Sequence, residues 1–175
     1  DQRWREIALI SPHLARAVIA SEDQRFCLHG GVDWSELRDV LAEEGGPSRG
    51  ASTLTMQTVK NLYLWPGRSY VRKALEIPMA LVVDGVWPKR RIMEVYLNIA
   101  ETGIATYGVN EGSKRYFGHD ASKMSTTEAA RIAAVLPLPK KREATIPKGF
   151  TRRYGNTISS RIGVVRNDGL DACLK

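Results

Sequence analysis

The chain has 175 residues, of which 43% are hydrophobic and 26% charged, and its formal net charge is +7. This composition is typical of one folded domain that buries its own core. No stretch approaches the roughly 18 apolar residues that a membrane span needs, so a span within this sequence is excluded. The basic excess favours an anionic partner, which would be nucleic acid, an anionic membrane surface or a phosphorylated substrate.

The two cysteines, Cys27 and Cys173, do not form the pattern of a disulfide framework, and no Cys/His metal spacing is present. We therefore expect two small, partly buried thiols and no resident metal. The sequence begins at Asp1 without a methionine, so we also expect an upstream segment.

The first predicted helix ends in two adjacent carboxylates. An apolar helical pattern over 14–21 is opened by Ser11 as N-cap and Pro12 as first helical residue, and it runs into Glu22 and Asp23. Both the helix dipole and partial burial would raise the pKa of a carboxyl at this end towards that of a useful base. The simpler interpretation is a solvated helix end.

A second helix is predicted over 33–44, because Asp33 can cap it and Glu36 follows three residues later. Its inward-facing residues are expected to be Trp34, Leu37, Val40 and Leu41. The glycine-rich stretch over 45–50 is predicted to be a loop.

The next helix carries Lys60 and is capped by Ser52 or Thr53. A capped helix start directs backbone N–H groups and hydroxyls towards the preceding loop, which makes it a natural anion cradle. Capping alone also explains these residues.

Ser69 opens a helix on which Arg72, Lys73 and Glu76 share one face. The simpler interpretation is a surface ion-pair ladder worth roughly 0.3–0.5 kcal/mol per pair. Pro78 is expected to kink this helix or to start a new segment.

The remaining elements are predicted from apolar periodicity and breakers. Helices are expected from Pro88, over 109–117, after a capping box at 125–128, and weakly over 154–166 within a basic tail that starts at Lys140. The helix from Pro88 should bury Ile92, Val95, Tyr96 and Ile99. A loop is expected over 103–108.

Five of these stretches resemble, in order, the motifs of the peptidoglycan glycosyltransferases. That family comprises the monofunctional biosynthetic transglycosylases and the corresponding domain of bifunctional penicillin-binding proteins. The five strings are E-D-x-x-F-x-x-H-x-G from Glu22, G-x-S-T-x-T-x-Q with V-K-N from Gly50, R-K-x-x-E from Arg72, K-x-R-I-x-E-x-Y-L-N from Lys89, and A-A-x-x-A-A-V-L-P from Ala129. The resemblance covers 11–139 and has one departure, Met56, where the family usually has a glutamine.

The resemblance implies a mainly α, lysozyme-like glycosyltransferase fold, with 1–175 as a single domain. It implies polymerisation of lipid II by inverting β-1,4 transfer, in which the 4-hydroxyl of one sugar attacks an anomeric carbon and undecaprenyl diphosphate leaves. Glu22 is then the catalytic base and Glu76 the second catalytic acid, on opposite walls of one cleft. The implied substrate-binding residues are Asp23, His29, Ser52, Thr53, Gln57, Lys60, Arg68, Arg72 and Lys73.

Partners and location follow from the same resemblance. The expected partners are lipid II, the growing glycan chain, the cytoplasmic membrane surface and other cell-wall synthesis proteins, with no nucleic acid. A divalent cation, Mg²⁺ or Mn²⁺, is a further possibility at the diphosphate. The catalytic part should lie on the periplasmic side of the cytoplasmic (inner) membrane, with an N-terminal anchor before Asp1.

Two other functions would each explain part of the sequence. A lysozyme-like hydrolase must protonate a sugar oxygen and admit water, and it has no use for a cluster of cations suited to phosphate. A non-enzymatic basic module would explain the charge, but the aromatic residues are not interleaved with the basic ones as in a stacking platform, and the Glu22 motif would have no purpose.

Overall fold

The computed structural model describes residues 3–46 and 50–175, so part of the predicted loop over 45–50 lies outside the described residues. Within them the architecture is mainly α, as predicted. The helices are α1 (Pro12–Glu22), α2 (Trp34–Leu41), α3 (Leu54–Tyr63), α4 (Tyr70–Val86), α5 (Lys89–Ile99), α6 (Val109–Phe117), α7 (Thr126–Val135) and α8 (Gly149–Asn167). Short 3₁₀ turns lie at Ile7–Leu9, Ala121–Lys123 and Ala172–Leu174.

The helix starts follow from side-chain caps. Thr53, Ser69 and Ser125 each accept the backbone N–H three residues on, at the starts of α3, α4 and α7, and the last of these is a complete capping box. Ser11 stands at the predicted N-cap of α1, but its hydroxyl donates to the Met124 carbonyl instead of capping the helix. The helix boundary was therefore predicted correctly and the cap chemistry was not.

Helix α2 is shorter and less buried than predicted. Asp33 caps it through the Glu36 N–H, and Val40 is buried, but Trp34 and Leu41 are 52% and 69% exposed. Val40 and Leu41 are adjacent in sequence and so lie about 100° apart around the helix. Because α2 is covered on one side only, burying Val40 leaves Leu41 exposed to solvent.

Two further predictions differ from the structure in detail. α4 continues through Pro78 to Val86 as one helix, so Pro78 does not start a new segment, and Glu76 and Ala80 on either side of it are buried. The predicted loop over 103–108 instead contains a small antiparallel hairpin, β1 (Glu101–Gly103) with β2 (Thr106–Tyr107). Strands this short carry no alternating pattern that a sequence could reveal.

The buried apolar side chains form a main core and a smaller cluster. α1, α7 and α8 contact one another around the main core, which also takes in the apolar residues of α5, whereas α3 contacts α4 and α5 and shares the smaller cluster with α4. The stretch predicted as a basic tail supplies the long helix α8, which buries Ile158, Ile162 and Val165. The C-terminal end of α1 also reaches α3, because Asp23 accepts the N–H of Leu54.

The two cysteines form a disulfide and are not free thiols, which corrects the sequence-based expectation. Cys27 and Cys173 are 146 residues apart, and their Cα atoms are separated by 5.4 Å. Helix α8 runs back along α1 and brings the C-terminal segment against the loop that follows α1. This pairing is a product of tertiary packing and leaves no local trace in the sequence.

Candidate active site

Glu22 is the last residue of α1 and is partly buried. Its Oε2 accepts a hydrogen bond of 3.1 Å from Nε2 of Gln57 on α3. Burial raises the pKa of the Glu22 carboxyl, while the Gln57 hydrogen bond and the positive charge of Lys60 act in the opposite direction. The result is a carboxylate with a raised pKa that is held in one orientation, as a general base requires.

Asp23 and His29 lie behind Glu22 and hold the end of α1 in place through hydrogen bonds. One oxygen of the buried Asp23 accepts the N–H of Leu54, the first residue of α3, at 3.0 Å and pairs with Nε2 of His29 at 2.8 Å. The Gly31 N–H donates to Nδ1 of His29, so the ring proton lies on Nε2 and points at Asp23. The end of α1 is thereby fastened to the start of α3, which fixes Glu22 relative to Gln57 and Lys60.

Glu76 lies on α4 with only 2% of its surface exposed. Arg72 Nε donates to one of its oxygens at 3.1 Å and Lys73 Nζ to the other at 3.0 Å, and Lys73 also donates to the Ser52 hydroxyl. The predicted common face of these three residues is confirmed. The simpler interpretation, an ion-pair ladder on the solvated surface, is wrong because the Glu76 carboxylate at its centre is buried.

Both glutamates line one cavity of about 260 Å³. Its other lining residues are Ser52, Gln57, Lys60, Arg72, Lys73, Leu136 and Pro137. A larger cavity of about 550 Å³ adjoins it and shares Glu22, Ser52, Gln57 and Pro137. Glu22 therefore lies at the boundary between the smaller cavity, a compartment lined by three cations, and the larger cavity, which forms a groove.

Lys60 also lines the smaller cavity, is partly buried, and has no ion-pair partner among the described side chains. Burial lowers the pKa of its ammonium group, and the negative charge of Glu76 partly offsets this effect. A partly buried cation without a dedicated carboxylate partner suits an anionic ligand that arrives from solution.

Other predicted site residues do not line the smaller cavity that contains both glutamates. Arg68 is exposed and outside the residues that line either cavity. His29 lies behind Asp23, and the Thr53 hydroxyl is engaged by the Met56 N–H and the Gly31 carbonyl. Met56 itself is buried in the smaller apolar cluster, so the departure from the family motif points away from the cavities.

The structure adds groups that sequence reasoning missed. Tyr154 of α8 donates to the Ser21 carbonyl at 3.2 Å and lines the larger groove with Arg161. Arg142 lies over the Tyr154 ring and adds positive charge near Glu22. The only available signal was the weak helical pattern over 154–166, and it does not reveal what α8 packs against.

The side chains around the cavity do not fit a metal held by the protein alone. Both oxygens of Glu76 are already engaged by cations, and the described residues contain no cluster of three or more His, Cys, Asp or Glu side chains that could hold an ion. The surrounding charges are mostly positive, which disfavours a second cation at the same place. The positive charge available to a phosphate group here therefore comes from the side chains of Lys60, Arg72 and Lys73.

Comparison with known proteins agrees with this geometry. The family described as Transglycosylase matches residues 1–162. Among similar proteins, the biosynthetic peptidoglycan transglycosylase of Rhodospirillum centenum is 48% identical over 99% of this chain and 76% of its own length. Those of Nitrobacter hamburgensis and Brucella suis are 51% and 46% identical, covering 92% and 100% of this chain and 73% and 78% of their own lengths. The chain therefore belongs to the transglycosylase family and is a glycosyltransferase of peptidoglycan synthesis.

Proposed function

We propose that this enzyme polymerises lipid II into glycan strands by inverting β-1,4 transfer with release of undecaprenyl diphosphate. The observation that carries the proposal is the single cavity in which Glu22 and Glu76 meet Lys60, Arg72 and Lys73. A sugar hydroxyl needs a base to become a nucleophile, and a departing diphosphate needs positive charge.

Glu22 is proposed as the base. Its raised pKa lets it accept a proton from the attacking 4-hydroxyl more readily than an ordinary glutamate, and its position between the two cavities suits a sugar that reaches in from the groove. The anomeric carbon would then lie on the side of Glu76, with its leaving group among the cations. Transfer forms the new C–O bond to the 4-oxygen and breaks the bond to the diphosphate, which leaves as an anion.

The diphosphate is proposed to contact Lys60, Arg72, Lys73 and the hydroxyl of Ser52, with the exposed Arg68 further out, just before the N-cap of α4. Glu76 orders Arg72 and Lys73 through its two hydrogen-bonded oxygens. Asp23, His29 and Thr53 support the substrate contacts of Glu22 and Gln57 by holding α1 against α3.

The direct test is incubation of the purified chain with labelled lipid II, followed by gel separation of the products. We expect a ladder of glycan strands and release of undecaprenyl diphosphate. A chain that makes no polymer from lipid II but shortens preformed glycan would instead be a hydrolase.

A membrane surface is the proposed second partner, and α4 supports it. Along this 17-residue helix, about 25 Å long, the charged Arg72, Lys73 and Glu76 face the cavity, whereas apolar residues face solvent. The exposed apolar residues of this face include Tyr70, Val71, Leu75, Leu81, Val82 and Val86. None of the described helices is long and apolar enough to cross a bilayer. The α4 face suits contact with the bilayer surface that carries the lipid substrate.

Val82→Asp is expected to weaken binding to anionic phospholipid vesicles severalfold, because it places a charge at the centre of the apolar α4 face. Vesicle co-sedimentation of the folded variant measures this. Val164→Asp is the matched control, since Val164 is a half-exposed valine on α8 and its replacement should leave binding unchanged. Equal loss in both variants would show that net charge, and not the α4 face, governs association.

The disulfide supports the proposed location on the periplasmic side of the cytoplasmic membrane. A peptidoglycan transglycosylase faces away from the cytoplasm, and disulfides persist in oxidising compartments such as the bacterial periplasm. The Cys27–Cys173 bond joins the loop after α1 to the C-terminal 3₁₀ turn.

Replacing both cysteines by serine is expected to lower the free energy of unfolding by about 2–5 kcal/mol, because the bond closes a very long loop in the unfolded chain. Denaturant unfolding with and without reductant measures this. Reductant should destabilise the wild-type protein to a similar extent and leave the double variant unaffected. A wild-type midpoint that does not move on full reduction would contradict the prediction.

A further inference from the structure

Tyr96 of α5 is connected to Glu22 through one intervening side chain. Its side chain is buried, and its hydroxyl donates to Oε1 of Gln57 at 3.4 Å. The other end of the same amide, Nε2 of Gln57, donates to Glu22 at 3.1 Å. The path therefore runs from α5 through α3 to the end of α1, and it reaches the proposed base from the side of the core.

The orientation of the Gln57 amide decides what Glu22 faces. With Nε2 towards Glu22 the carboxylate gains a hydrogen-bond donor, which favours its ionised form; with the amide turned over, an oxygen would face it and favour the protonated form. Turning the amide over would also remove the recorded acceptor of the Tyr96 hydroxyl, and a buried hydroxyl without an acceptor is destabilising. The phenol therefore biases the amide towards the orientation that favours ionised Glu22.

We propose that Tyr96 is a positioning residue for the transfer reaction, acting through Gln57 to keep Glu22 ionised and fixed. The inference rests on the proposed role of Glu22 as base. Tyr96 does not line either cavity around Glu22, so it acts without touching substrate. Its own phenol stays neutral, because burial raises its pKa well above the ordinary value and the charge of Glu22 adds to this.

Several charged and titratable groups face Glu22 from the surrounding elements, and Tyr96→Phe leaves all of them in place. They are Asp23 after α1, Lys60 on α3, Arg72, Lys73 and Glu76 on α4, Arg142 after α7, and Tyr154 and Arg161 on α8. A change in the pH dependence of Tyr96→Phe would therefore report the amide, not a lost charge.

The test is the pH profile of kcat for lipid II polymerisation by the full chain. In Tyr96→Phe the amide is free to turn over, so the pKa of Glu22 should rise and the acidic limb of kcat should move to higher pH by about 0.5–1 unit. One pH unit below the wild-type midpoint, kcat of Tyr96→Phe should be roughly threefold to tenfold lower than that of the wild type. Well above the midpoint kcat should largely recover, and KM should stay within about twofold. A limb that coincides with that of the wild type would overturn the proposal.

Tyr116→Phe is the matched control, because Tyr116 is also a buried tyrosine whose hydroxyl donates, at 2.8 Å, to the Thr102 carbonyl. Tyr116→Phe should not move the acidic limb of kcat. A shift equal to that of Tyr96→Phe would show that losing any buried hydroxyl has this effect. Gln57→Met provides a second route if Tyr96→Phe folds poorly. In Gln57→Met the acidic limb of kcat should move to higher pH, and adding Tyr96→Phe to this variant should cause no further shift. A full additional shift in the double variant would overturn the relay.

Failure of this inference is distinguishable from failure of the proposed function. An active Glu22→Gln enzyme would refute the role of Glu22 itself. An inactive Glu22→Gln enzyme together with an unshifted Tyr96→Phe limb would refute only the role of Tyr96.

Discussion

Replacing Glu22 by glutamine is expected to lower glycan polymerisation by about 10²–10⁴-fold, the range that general base catalysis usually supplies. The amide keeps the size of the side chain and can still bond to Gln57, but it cannot accept the proton of the attacking hydroxyl. Lipid II binding should stay within a few-fold of the wild type, because the cations that meet the diphosphate are unchanged. Single-turnover polymerisation and equilibrium binding, measured on the same preparation, separate the two effects.

Stability provides an internal check on this variant. The pKa of Glu22 is raised in the folded protein, so the fold binds its proton more tightly than the unfolded chain does. This destabilises the fold above the folded-state pKa and has no effect below the unfolded-state pKa. At neutral pH Glu22→Gln should therefore be as stable as the wild type or slightly more stable. Glu111→Gln, on the surface of α6 beside Lys114, is the control for the same chemical change away from the cavity. Near-normal polymerisation by folded Glu22→Gln would show that the end of α1 is not the catalytic centre.

The local part of the site could be predicted from the sequence because short spacings determine it. Arg72, Lys73 and Glu76 fall on one face of any helix that contains them, and Thr53 and Ser69 cap the helices that follow them. The family motifs added the roles of these residues, which spacing alone does not provide. The burial of Glu76 depends on α3 and on the cavity wall, so the spacing was equally consistent with a surface ladder.

The parts that could not be predicted depend on distant contacts. Tyr96 fits the apolar stripe of α5 and was assigned to the core, which is correct, but nothing in that stripe shows that its hydroxyl reaches Gln57. Cys27 and Cys173 pair only because α8 folds back along α1. In each case the deciding contact joins residues that are far apart in the sequence.

Lys60→Met is expected to lower turnover by about 10²–10³-fold, comparable to removing one electrostatic stabiliser of a transition state. Methionine occupies similar space but carries no charge for a diphosphate that becomes more negative as it leaves. Partial burial lowers the pKa of the Lys60 ammonium group, and its charge acts on a ligand at short range and with less screening than on an exposed surface. Polymerisation in detergent measures the effect without a contribution from membrane binding.

The same environment predicts a gain in stability when this lysine is lost. A lysine whose pKa is lowered by folding destabilises the fold at every pH below its folded-state pKa, and neutral pH lies below it unless the shift is very large. Lys60→Met should therefore unfold at a higher denaturant concentration than the wild type while turning over far more slowly. Lys123→Met removes an equal charge from an exposed 3₁₀ turn and should change neither property. Loss of turnover together with loss of stability in Lys60→Met would mean that Lys60 supports the fold, and the site of the leaving diphosphate would then have to be sought around Arg72 and Lys73.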